Sequence, residues 1–131
     1  MIKLDYRSRV PIYRQLEESI MELIVLGVYE KDMQLPSVRA LGVELGINPN
    51  TIQKAYQELE SMGVIYSITG KGSFIQGIDN AQEQLRGKTL EKLADTVREA
   101  RLAGVRQQEV LALIQVVYEA EDKGKEVSDH D

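Results

Sequence analysis

Cysteine is absent from the 131-residue chain, which excludes disulfides, thiol nucleophiles and thiolate metal sites together. The absence fits a reducing compartment. Three prolines and ten glycines are too few for long disordered stretches. Histidine occurs once, as His130, in the polar C-terminal stretch DKGKEVSDHD. No pair of acids lies in an apolar loop of the kind that raises a carboxyl pKa. An enzyme is therefore not expected, nor is a metal or cofactor. The start, Met1 to Arg7, lacks the apolar stretch of a secretory signal, and no apolar run nears the length of a membrane span. A soluble cytoplasmic protein without a membrane partner is the expectation.

What remains is an ordinary globular composition, 43% apolar and 28% charged, long enough for one domain or a small domain with an appendage. Pro11 opens a first helix over about 11–27, with Ile12, Leu16, Ile20, Leu23 and Ile24 at helical spacing and Gly27 closing it. A loop with Asp32 leads to Ser37, a good N-cap for a short helix whose inward face is Leu41 and Leu45 and whose end is Gly46. Either Asn48 or Asn50 can cap the third helix; with Asn48, Pro49 falls at the first helical position. Ile52, Ala55, Tyr56, Leu59 and Met62 mark its inward face, and Gly63 closes it. The runs 64–68 and 73–75 flank a glycine turn and read as a β-hairpin. Three helices and a hairpin predict a winged helix-turn-helix over 1–77.

Two helices joined by a short turn with glycine at its head are what the helix-turn-helix requires, and its second helix enters the major groove of DNA by its N-terminal residues. Here those residues are Asn48, Asn50, Thr51, Gln53 and Lys54, all able to hydrogen-bond. Asn and Gln suit adenine edges, and Thr and Lys suit phosphates. Arg39 is either a phosphate contact or a solvated arginine pairing with Glu44. Lys71 and Gly72 form the wing tip, where small residues let the backbone approach a phosphate or a groove. Arg7 and Arg9 precede the first helix and can grip the backbone at the edge of the site, whereas Arg14 is expected to neutralise Glu17 and Glu18 on the surface.

The net charge of −5 speaks against a basic footprint, but it is unevenly spread. Residues 1–77 hold eight Lys/Arg against nine Asp/Glu, a balance of −1; residues 78–131 hold eight against twelve, a balance of −4. Residues 46–57 contain no acid, and Lys54 is their only charge. For DNA the local face matters more than the total.

Beyond a junction at 77–80, Leu90, Leu93, Val97 and Ala100 step along a fourth helix that ends near Gly104. The last helix carries Val110, Leu111, Leu113, Ile114, Val117 and Tyr118, an apolar face broader than one neighbour covers. Residues 78–131 are thus expected to form a helical hairpin that pairs two copies, with 123–131 as a frayed polar tail. Packing back on the first domain is the competing reading.

The stretch PIYRQLEESI and then LPSVRALGVELGINPNTIQKAYQELESMGVIYSITGKGSFI resemble the N-terminal domain of GntR-type bacterial transcription regulators. The tail LAGVRQQEVLALI resembles the YtrA-type subfamily, whose members carry a two-helix dimerisation segment in place of an effector domain. The resemblance implies a homodimer on a palindromic operator, usually a repressor, with DNA contacts at Arg39, Asn48, Asn50, Thr51, Gln53, Lys71 and Gly72. Many relatives have serine and arginine at the turn, where this chain has Asn48 and Pro49. A winged-helix protein-interaction adaptor is the alternative. About fifty residues in two helices leave little room for an enclosed effector pocket, although an effector could bind between subunits.

Overall fold

A computed structural model describes residues 2–129, with side chains for 2–124; His130 lies outside the described residues. The first helix, α1 (Ile12–Val25), starts one residue after Pro11, whose extended backbone forms the N-cap. Its stripe Leu16, Ile20 and Ile24 is buried, as the spacing predicts. The next two helices are α2 (Val38–Leu45) and α3 (Pro49–Ser61). Ser37 Oγ accepts the Ala40 amide at 3.0 Å and so caps α2.

The cap of α3 is Asn48: its Oδ1 accepts the Asn50 amide at 2.9 Å, and Pro49 opens the helix. The turn between α2 and α3 is tight. A Cβ on Gly42 would lie 2.9 Å from the Ile47 carbonyl oxygen, so glycine is what lets the turn fold back over α2. Ile52, Ala55, Tyr56 and Leu59 are buried from α3, and α1 and α3 pack on each other around them.

Strands β1 (Ile65–Ile68) and β2 (Gly72–Ile75) pair antiparallel, with Tyr66 opposite Phe74 and their rings stacked 5.5 Å apart. Ile65 and Ile75 point into the core. Residues 33–35, expected as loop, add a third extended segment along β2, entered through a turn at Asp32, whose φ is +67°. The Leu35 amide donates to the Ser73 carbonyl, and the Ile75 amide to the Met33 carbonyl, both at 2.9 Å.

The last two helices are α4 (Ile78–Leu102) and α5 (Gln107–Asp129). Three expectations change here. The junction at 77–80 is mostly helix, since α4 begins at Ile78. The compact units divide later, between Lys88 and Thr89, because Ala81 and Leu85 still pack on the first core. The polar tail from 123 is helical through Asp129; the segment lacks proline and is rich in the helix formers Glu and Lys.

Within the second unit, the apolar residues of α4 and α5 remain largely exposed. Leu90, Leu93 and Val97 on α4 and Ile114, Val117 and Tyr118 on α5 are 40–69% exposed, and Val110 is half-buried. The apolar residues of α5 span too wide an arc for one neighbour to cover.

Candidate nucleic-acid interface

The exposed face of α3 is set by its period. Asn50, Gln53, Lys54 and Gln57 recur at three- and four-residue steps, opposite Ile52, Ala55, Tyr56 and Leu59. All four are exposed, and none of the three carboxamide side chains has a protein hydrogen bond among the described residues. Gln57 was not singled out by sequence, although its place one turn beyond Gln53 is the signal that finds it. Thr51 is half-buried in the first turn. Asn48 spends its Oδ1 on the cap, which leaves its amino group for any ligand.

Lys54 is held rather than free. Its Nζ lies 4.0 Å from the centroid of the Tyr13 ring on α1, a cation–π contact. The next turn of both helices brings Glu17 and Glu58 together. Glu17 is only 2% exposed, not on the surface as expected, and the two carboxyls hydrogen-bond each other. One oxygen of each, Oε2, is buried without a partner. Burial pushes the Glu17 pKa up to about 7, and the hydrogen bond and charge of Glu58 add to the shift, while Lys88 and Arg14 oppose it. Arg14 instead donates from Nε to the Tyr13 hydroxyl at 3.4 Å, which raises its own pKa.

Arg39 is exposed in the first turn of α2 and forms no ion pair with Glu44. Just before it, the chain is tied to the reading helix: the Tyr56 hydroxyl donates to the Pro36 carbonyl at 2.7 Å. Burial drives the Tyr56 pKa far up, so this hydroxyl stays protonated and donating.

Lys71 and Gly72 stand at the wing turn, both exposed. The Lys71 amide donates to the Ile68 carbonyl at 2.9 Å. Arg7 and Arg9 lie in an exposed loop fastened to α1 by Gln15, whose Nε2 donates to the Asp5 and Val10 carbonyls at 2.9 Å. Among the described residues no hydrogen bond or ion pair joins either arginine to α3 or to the wing.

Lys31, Asp79, Asn80 and Gln76 line an open cleft of about 590 Å³ near the end of α1, with Ile24 and Tyr29 as its apolar side. Among the described residues no group of three or more His, Asp or Glu could hold a metal, and no helix is long and apolar enough to cross a membrane.

A tight helical turn, an exposed amide-bearing second helix and a lysine-tipped hairpin define a winged helix-turn-helix of the nucleic-acid-reading kind. The family model for bacterial regulatory proteins of the gntR family matches residues 12–75. The HTH-type transcriptional repressor YtrA of Bacillus subtilis (strain 168) is 40% identical over 109 residues, which cover 80% of this chain and 82% of that protein. A transcriptional regulator from Oenococcus oeni superposes with a TM-score of 0.72 at 32% identity, covering 88% of this chain and 97% of that one. The AraR DNA-binding domain, crystallised with an operator, superposes at 0.50 and 32% identity over 57% of this chain and 92% of that one. The chain belongs to the GntR family of transcription regulators, with a YtrA-type build.

Proposed function

We propose that the chain is a cytoplasmic, homodimeric repressor that reads a palindromic operator through α3 and anchors it through the wing. The observation that carries this is the exposed stripe Asn50, Gln53, Lys54 and Gln57, polar groups on a rigid helix without protein partners for their amides. Asn50, Gln53 and Gln57 read base edges, and the amino group of Asn48 joins them at the helix start. Thr51, Lys54, Arg39, Lys71 and the Gly72 backbone hold phosphates, and Arg7 and Arg9 extend the backbone grip. The similarity to an operator-bound AraR domain supports this reading. The exposed apolar residues of α4 and α5 support the dimer: a second copy covers Leu90, Leu93, Val97, Val110, Ile114, Val117 and Tyr118. Two copies set their reading helices about 34 Å apart, one turn of DNA.

Alanine variants test the assignment. Arg39→Ala and Lys71→Ala are expected to weaken binding evenly across sequences and to lower the salt dependence by about one counterion each. Gln53→Ala is expected to change the preferred base at one position. Three variants that bind like the parent would show that the wrong face has been assigned.

A further inference from the structure

The wing tip is held from outside the hairpin. Gln34, in the segment before α2, donates from Nε2 to the Lys71 carbonyl at 2.7 Å. The Lys71 amide is already bonded to Ile68, so both backbone polar groups of this residue are fixed while its side chain stays exposed. Room for Gln34 depends on Gly72: its φ is +123°, and a Cβ there would lie 2.8 Å from Gln34 Nε2. Glycine at 72 thus has a reason inside the protein, apart from any ligand.

Gln34 is itself anchored on both sides. Its backbone pairs with Phe74, and the neighbouring Leu35 is buried with its amide on Ser73. On the other side of Gln34, Asp32 Oδ1 accepts the Tyr66 hydroxyl at 2.8 Å. Following Leu35, Pro36 takes the Tyr56 hydroxyl from α3 and Ser37 caps α2, two residues before Arg39. One strap, residues 32–37, therefore touches the wing, the reading helix and the helix that carries Arg39.

The geometry points to Gln34 as a positioning residue for DNA binding: it sets the Lys71 peptide so that the lysine meets the duplex from one fixed direction. It acts through Lys71 and does not touch DNA. A free wing tip pays for its ordering when it binds, and a tip braced beforehand does not. The inference rests on the wing-contact reading given above.

Gln34→Met keeps the length and loses the donor, and Gln34→Glu replaces the donor with an acceptor. The probe is the duplex that the parent protein enriches from a random pool. Both variants are expected to bind it about fivefold more weakly per wing, the size of one neutral hydrogen bond. In a Lys71→Ala background, Gln34→Met should add no further loss. In the free protein, the backbone order parameter of Lys71 should fall in Gln34→Met, while the first unit still melts cooperatively. An unchanged order parameter would overturn the brace. A full extra loss on top of Lys71→Ala would overturn the route through the lysine side chain and leave the Gly72 backbone or Gln34 itself as the contact. Parent-like binding by Lys71→Ala would instead sink the wing reading, a failure visible apart from the order parameter.

Discussion

Residues 2–88 and 89–129 obey the same sequence rule and end in opposite states. In the first unit the apolar positions at helical spacing are buried: Leu16, Ile20, Ile52 and Leu59 are at 0% exposure. In the second unit the same spacing leaves Leu93 at 50% and Val117 at 51%. Periodicity says which residues share a face. It does not say whether the facing surface belongs to the same chain. The first unit finds its counterpart in α1, α3 and the hairpin, so it closes on itself; the second has an apolar face that none of its own described residues covers.

The largest expected effect sharpens that contrast with one chemical change made twice. Leu59→Asp puts an unpaired charge in the closed core and is expected to abolish the cooperative melt of the first unit, a cost above about 4 kcal/mol. Val117→Asp is expected to leave that melt in place and to convert the particle from dimer to monomer by light scattering. If Val117→Asp unfolded the first unit, the division between the two regions would be wrong.

A smaller effect concerns the buried pair between α1 and α3. The Glu17 carboxyl binds its proton more tightly folded, near pH 7, than unfolded, near 4.5. Its stabilising contribution is therefore complete below pH 4.5 and is lost as pH rises through 7. Denaturant melts should show the parent losing on the order of 2 kcal/mol between pH 5 and pH 8 relative to Glu17→Gln, which cannot ionise. Parallel pH curves for the two proteins would contradict the raised Glu17 pKa.

The smallest effect is local. Ser37→Ala removes the cap of α2 and is expected to cost about 1 kcal/mol, read as a lower melting temperature of the first unit alone.

The helices and the hairpin were legible because their apolar and polar positions separate cleanly, and Ser37, Asn48 with Pro49, and Gly46 mark helix ends by local chemistry. The face of α3 was legible for the same reason. The extended segment at 33–35 was not. Met33, Gln34 and Leu35 carry no alternation or β-branched run, and they are extended because β2, distant in sequence, supplies the hydrogen bonds of Met33 and Leu35. Glu17 was misplaced on the surface because a carboxyl is buried only with a suitable partner, and that partner, Glu58, lies on another helix. The Lys54–Tyr13 contact was hidden in the same way. What covers α4 and α5 was not legible, because spacing alone cannot assign a neighbour.

The most direct test of DNA reading by a paired winged helix is a binding selection from random duplexes, followed by affinity measured across salt concentrations. An enriched inverted repeat, with half-sites about one helical turn apart and affinity falling steeply with salt, is the predicted result. No enriched sequence and no salt-dependent binding would contradict the account and favour a winged helix that meets proteins instead.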